Sequence, residues 1–394
     1  MYADDLLRPW HDSLVEVLPG LDLFDAHTHT GQHDPDGFRC TPAELTEALA
    51  MIGARAAVFT MHEPDGYGPA NDRVIAEAEA SGGRLVPFCR VDPKADPAAE
   101  AERSLGHGAR GIKLHPRSDD FQLSDARLVP VFELAAERRV PIIVHAGRGI
   151  PALGRDALDL TERYPSAPLI LAHAGVCDLA WIWRHAAEHP NLFFDTAWWT
   201  PVDLITLLSH VPPGQILFGS DAPYGTPIHS FVVAFRAALQ LGLSPEACAS
   251  IAGAQLERLL DGLEPADAGP APGTGRLTAN PLLERVESYL LTAIGRMLLG
   301  DEGAEQLDLA RLACEVGEEA PEAPVCRSVL AMLDRVDRYS RDGMYEGGAQ
   351  EGNGPGHLFP GLHLVVAAAM LTRTPDVPLP PDPEPADTGE RQRG

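Results

Sequence analysis

Residues of metal-binding type stand where several short apolar runs of this sequence stop. One run reads Phe24-Asp25-Ala26-His27-Thr28-His29, and others end Ile143-Val144-His145, Leu171-Ala172-His173 and Gly219-Ser220-Asp221. Alternate side chains of an extended strand share a face, so His27 and His29 point the same way. Two neutral imidazoles on one face are half of a first-row metal site, which further imidazoles and a carboxylate complete. A satisfied core histidine would explain any one of these positions. Four separate strand ends carrying His or Asp are better explained by convergence on an ion. A divalent cation is therefore the expected cofactor, zinc first, one or two per chain. Such an ion lowers the pKa of water from roughly 15.7 toward about 7 and polarises a carbonyl. Asp221 beside it could take the proton of the attacking water and pass it to the leaving group.

The elements that must position these residues can be read from periodicity. Apolar, β-branched runs at 21–28, 56–61, 85–91, 111–115, 141–145, 169–173, 192–196 and 216–220 alternate with amphipathic stretches of helical period. Several helix candidates open on a cap followed by proline, at Thr41-Pro42, Asp96-Pro97 and Thr200-Pro201, and Glu44 completes a capping box with Thr41. Strand-then-helix repetition predicts parallel strands with crossover helices. Eight such units in so short a span predict an α/β fold, a closed (β/α)8 TIM-type barrel whose strand ends share one rim. An open doubly wound sheet is the alternative, but no GxGxxG follows the first strand.

The fourth run, Gly111-Ile112-Lys113-Leu114-His115-Pro116, puts Lys113 and His115 on the inward face. A lysine inside a barrel is costly unless paired or modified. Carboxylation to a carbamate bridging two metals is one answer, and a lysine that orients substrate is another. An ammonium that reaches solvent at the rim is the plain alternative. His115 could bind substrate or cap its loop. Arg117 and Arg148 follow the fourth and fifth strands, where two guanidiniums would suit a carboxylate-bearing substrate. Both could equally be ordinary surface arginines. Trp198 and Trp199 after strand seven, and Pro223 and Tyr224 after strand eight, could wall a pocket, with Glu63 as a further polar candidate.

The predicted barrel takes residues 21–262 behind an N-terminal extension, 1–20, and its last amphipathic stretch, 245–262, is expected on the outside. A Pro/Gly-rich linker, 263–276, leads to a small all-α module, 277–374, interrupted by a Gly-rich loop at 343–356. The final residues, 375–394, have the composition of a disordered tail. The net charge of −26 argues against nucleic acid as a partner. No run reaches the roughly 18 apolar residues of a membrane span, and the acidic N-terminus is unlike a signal peptide. The six cysteines are scattered without metal-type spacing, as expected of reduced thiols in the cytoplasm. The expected partner is a small-molecule substrate, and the acidic helical module offers a surface for a homo-oligomer.

These motifs together resemble the amidohydrolase superfamily, in particular its amidohydrolase-related branch of metal-dependent hydrolases and decarboxylases. The resemblance spans about residues 20–262. It rests on Asp25-Ala26-His27-Thr28-His29, Gly111-Ile112-Lys113-Leu114-His115-Pro116, His145, Leu171-Ala172-His173-Ala174-Gly175 and Gly219-Ser220-Asp221-Ala222-Pro223. It implies His27, His29, His145 and Asp221 as metal ligands, with His173 as a further ligand or as the partner of the bound water. Lys113 stands where some members carry a bridging carboxylated lysine and others a glutamate. The expected activity is hydrolysis of an amide, ester or lactone, with Asp221, His173 and Lys113 in the chemistry and His115, Arg117, Arg148 and Trp198 against the substrate. Non-oxidative decarboxylation of a β-keto or hydroxyaryl acid is the alternative on the same site. A non-catalytic scaffold joined through the helical module is a third reading.

Overall fold

The computed structural model describes residues 1–2, 4–341 and 359–381. Its centre is a single eight-stranded sheet in sequence order: β1 (Phe24–Thr30), β2 (Arg55–Thr60), β3 (Leu85–Arg90), β4 (Gly111–Leu114), β5 (Ile142–Val144), β6 (Leu169–Leu171), β7 (Leu192–Asp195) and β8 (Ile216–Leu217). Every neighbouring pair is parallel. The chain after β8 returns to β1 and closes the barrel. Ala26 N donates to Phe218 O, Asp221 N to His27 O and His29 N to Ala222 O, each at 2.8 Å. The expected (β/α)8 barrel is the observed fold.

Crossover helices wrap it: α2 (Pro42–Met51), α3 (Gly68–Ala80), α4 (Pro97–Gly106), the short α5 (Pro116–Asp119), α6 (Val129–Arg138), α7 (Gly154–Arg163), α8 (Leu179–Ala186), α9 (Pro201–His210) and α10 (Pro227–Leu241). Thr41 and Glu44 form the capping box, and Asp96 accepts from Ala99 N. Thr200 makes no side-chain cap bond, so there the proline alone marks the start of α9. Ile112 and Leu114 face the helix layer, as alternation demands. The barrel interior is filled by Phe24, Ala26, Phe59, Phe88, Ile143, Ile170, Phe193 and Leu217. Gly111 matters to that filling, because a Cβ there would lie 2.4 Å from the Phe88 ring.

Three expectations need correction. The stretch after α10, with α11 (Pro245–Ala249) and α12 (Gln255–Leu260), does not lie outside the barrel. Leu256, Leu259 and Leu260 join the interior cluster and plug the end opposite the candidate site. The Pro/Gly-rich segment 263–276 is no free linker. Gln255 bonds both the N–H and the carbonyl of Ala266, and Gly273 N donates to Ser209 O. The tail is ordered at its start, where Val377 is buried and the Pro378 carbonyl accepts from Arg236. The rest of it, 382–394, and the Gly-rich loop lie outside the described residues.

Beyond the barrel come α13 (Pro281–Met297), α14 (Ala304–Ala313), α15 (Ala323–Arg341) and α16 (Phe359–Arg373). Asn280 caps α13 by accepting from Leu282 N and Leu283 N. Residues 362–371 are buried on every side of α16, the mark of a helix at the centre of a layer. It is packed by α13 and α15 on one side and by α9 and α10 of the barrel on the other. The N-terminal helix α1 (Asp4–Val17) lies on α10, with Leu7, Trp10 and Leu14 buried. Among the described residues no helix is long and apolar enough to cross a membrane.

Candidate metal centre

A register shift between Asp25 and Thr28 re-aims β1. Phe24 and Ala26 face the interior before it, while His27 and His29 face inward after it. The Asp25 carboxylate holds this turn by accepting from His27 N and Ser220 N, each at 3.0 Å. His173 and Asp221 both have φ near +59°, a region costly for residues with a side chain. Such strain persists only where the surroundings impose it.

The side chains of His27, His29 and Asp221 converge, with one potential ligand atom from each within 4.8 Å of the others. Asp221 Oδ1 lies 3.2 Å from His27 Nε2 and 3.1 Å from His29 Nε2. His173 stands next to them, its Nδ1 3.8 Å from Asp221 Oδ2. His145 is one ring further out, hydrogen-bonded through Nδ1 to His173 Nε2 at 2.9 Å. His115 stacks on His145 with ring centroids 4.2 Å apart, and its Nδ1 accepts from Ser118 N, so it also caps its loop. Lys113 is fully buried, with Nζ 3.3 Å from His27 Nε2 and 4.5 Å from the centre of the Phe59 ring. Burial pushes its ammonium down to about 7. The rim-solvent reading of this lysine is thereby excluded.

Burial holds His27, His29 and His145 well below the usual imidazole range and brings His173 down to about 4, so all four are neutral near pH 7. The same burial raises Asp221 well above the carboxylate range. Asp195 accepts from His27 Nδ1 at 2.8 Å, which leaves the His27 lone pair on Nε2, facing an Asp221 oxygen. The Ala197 carbonyl likewise fixes the His173 proton on Nδ1 at 2.8 Å. His145 must then donate from Nδ1, which turns its own Nε2 lone pair toward the Arg148 carbonyl at 3.3 Å. Beside the Lys113 ammonium at His27 Nε2, these converging imidazoles and the Asp221 carboxyl form a donor set that suits a divalent cation.

Asp195 was missed by reasoning from the sequence. It is fully buried at the end of β7 and accepts from His27 Nδ1, His173 N and Ala197 N, which orients two of the imidazoles. Its signal was present, a carboxylate ending an apolar strand like the one in Asp221. Arg90, at the end of β3, was missed too, and is buried in a bidentate pair with Asp119 that also receives the Tyr67 hydroxyl at 2.5 Å.

Of the remaining candidates, Arg117 and Arg148 are both exposed on adjoining rim loops, the Arg117 side chain resting against Gly149. Trp198 lies 6.1 Å from the His173 ring and donates to Asp203. Tyr224 sets its ring edge-on to His29 at 5.4 Å and donates to Asp34 at 2.6 Å. Glu63 is turned away, bound to His33 and Arg73.

A family model described as amidohydrolase matches residues 24–254. The chain belongs to the amidohydrolase family. Amidohydrolases are metal-dependent enzymes, and the matched segment holds every member of the cluster. No curated protein matches the chain. Among solved structures, an uncharacterised TIM-barrel protein from Bordetella bronchiseptica is similar at 19% identity, covering 61% of this amidohydrolase and 99% of that chain, with a TM-score of 0.49. A 2,6-dihydroxybenzoate decarboxylase from Rhizobium is similar at 16%, covering 61% and 99%, with a TM-score of 0.49. A 4-oxalomesaconate hydratase from Rhodopseudomonas palustris is similar at 14%, covering 61% and 96%, with a TM-score of 0.45. None of these assigns a reaction to this member of the family.

Proposed function

We propose that the protein is a metal-dependent hydrolase of a small amide, ester or lactone, acting in the cytoplasm. The observation that carries this reading is the approach of His27 Nε2 and His29 Nε2 to one oxygen of Asp221. His27, His29 and Asp221 would hold the ion, with His145 and His173 completing the set. Once bound, a divalent ion, zinc first, acidifies water and polarises the scissile carbonyl. Asp221 takes the proton from the attacking water and delivers it to the leaving group. His173, held by Asp195 and Ala197, keeps a fixed orientation beside the carboxylate. Lys113, stationed at His27 Nε2, would supply positive charge in its protonated form, or as a carbamate would help hold a second ion.

Arg117 and Arg148, both exposed on the rim loops after β4 and β5, favour a carboxylate-bearing substrate. The same pair supports a second reading, in which the carboxylate they draw in leaves as carbon dioxide. The test is product analysis on ester, lactone, amide and hydroxyaryl-acid panels, before and after chelation and metal return. Acid or amine formation that disappears on chelation and returns with metal supports hydrolysis. Carbon dioxide release would replace that reading with decarboxylation. Metal counting on Lys113→Ala decides the number of ions: a drop from about two per chain to one means a carbamate-bridged pair.

A further inference from the structure

The helix α16 lies outside the segment that defines the family, yet it is fastened to the barrel at both ends. At its C-terminal end Arg236 of α10, fully buried, donates to Thr374 Oγ1 at 3.0 Å and to the carbonyls of Thr374, Val377 and Pro378 at 2.9, 3.3 and 2.8 Å. At its other end His363 is buried, and its Nε2 donates to the Tyr224 carbonyl at 3.2 Å. The His229 ring of α10 stacks flat on His363, with centroids 4.6 Å apart and 20° between planes. His229 is fully buried and, among the described residues, neither ring nitrogen has a hydrogen-bond partner, so what it offers His363 is a surface.

Tyr224 is what this clamp holds. Its N–H donates to the Asp221 carbonyl at 2.8 Å, its hydroxyl donates to Asp34, and its ring meets the edge of His29. Two residues of the metal centre are therefore one contact from Tyr224 and two from His363. A carbonyl with a buried donor cannot swing without leaving that donor unpaired, at the cost of a lost buried hydrogen bond.

We propose that His363 is a positioning residue of the metal centre, through which the helical module fixes Tyr224 against His29 and Asp221. The inference rests on the metal reading given above. It assigns residues 359–381 to the active site as a supporting wall, where a separate module was expected.

The test uses the full chain and cobalt(II) as probe. His363→Phe keeps a ring for His229 to stack on and removes the donor, while His363→Gln keeps an N–H at nearly the same reach. Three quantities are read: the visible band of the cobalt protein, the cobalt dissociation constant by chelator competition, and the melting temperature of the metal-free protein. Disturbing a group that orients a ligand is expected to weaken binding about 10- to 100-fold. His363→Phe should show that loss together with a shifted band, the metal-free melting temperature should fall by no more than the loss of one buried hydrogen bond, and His363→Gln should restore band and affinity. If His363→Phe binds cobalt like the wild type, with the same band, the proposal is wrong and the metal reading stands. If the wild-type protein takes up no cobalt, the metal reading itself has failed. Should His363→Phe not fold, His363→Leu removes the same donor to the Tyr224 carbonyl with a smaller side chain. An unmoved band there overturns the proposal equally.

Discussion

Two groups of buried histidines in this protein make a useful contrast. At the rim, Asp195 and the Ala197 carbonyl fix the protons of His27 and His173, His145 follows by bonding His173, and His27 and His29 both turn Nε2 toward Asp221. About α16, His229 and His363 are as deeply buried and as firmly neutral, and among the described residues burial is the main cause of their lowered values. Burial alone thus makes an imidazole a neutral flat ring. A metal ligand further requires an anionic oxygen nearby and a partner that fixes the tautomer. His27 has both, and His229 has neither.

Removing the anionic oxygen should break the rim group completely. Asp221→Ala is expected to purify with no stoichiometric metal and to lose at least about three orders of magnitude of activity, as for loss of a group that serves as both ligand and proton carrier. His229→Phe should retain the wild-type metal content, and elemental analysis of both proteins checks the contrast. A His229→Phe protein that also lost its metal would erase the distinction. Removing the tautomer-fixing partner is milder. Asp195→Asn should weaken zinc binding by about 10- to 100-fold without unfolding the barrel, as competition with a chromophoric chelator would show.

The smallest effect is in pH dependence. Burial holds His229 well below its ordinary value and His363 at about 4, whereas both titrate near 6.5 in the unfolded chain. Their lowered values stabilise the fold fully above about pH 6.5, and stability is lost as pH falls below that, because the unfolded chain takes up protons that the folded one refuses. Each such group is worth at most about 1.4 kcal/mol per pH unit. Urea titrations at pH 6.5 and pH 5 should therefore show His229→Phe losing less stability than wild type, by about 1 kcal/mol. The rim residues titrate alike in both proteins and cancel. Equal losses would mean that His229 is already protonated in the fold, and that its separation from the rim group is misjudged.

The barrel and most of the rim could be read in advance, and the reason is physical. Parallel strands covered on both faces are near-continuous apolar runs, so a polar residue at a run's end is conspicuous, as with His145, His173 and Asp221. Asp195 ends a run in the same way, but a lone aspartate before Thr196 also suits a turn or a helix cap, and sequence has no means of choosing. The inward face of His27 was inferred by simple alternation from the start of the strand, which would also have put Asp25 inward and Phe24 outward. The register shift inside β1 reverses that first half, and such a shift is invisible without the partner strand. The packing of α12 across one end of the barrel and the burial of α16 within its helical layer escaped for another reason. An apolar helical period reveals that a face is covered but not by what. The Lys113 ammonium was placed inward correctly from Gly111-Ile112-Lys113-Leu114, although only coordinates could show it beside His27.

Arg236 sets a limit on how this enzyme can be cut. Its partners are Thr374 and the Val377 and Pro378 carbonyls, contributed more than a hundred residues after α10. A fragment ending at residue 262 would contain the whole family domain and every residue of the metal centre. It would also carry a guanidinium on α10 stripped of these partners and a broad apolar face where α16 had been. Water would solvate the freed guanidinium, but the uncovered apolar face would cost about 25 cal/mol per Å² against a stability of only about 5–15 kcal/mol. Anyone wishing to express the barrel by itself would have to redesign that surface, beginning with Arg236.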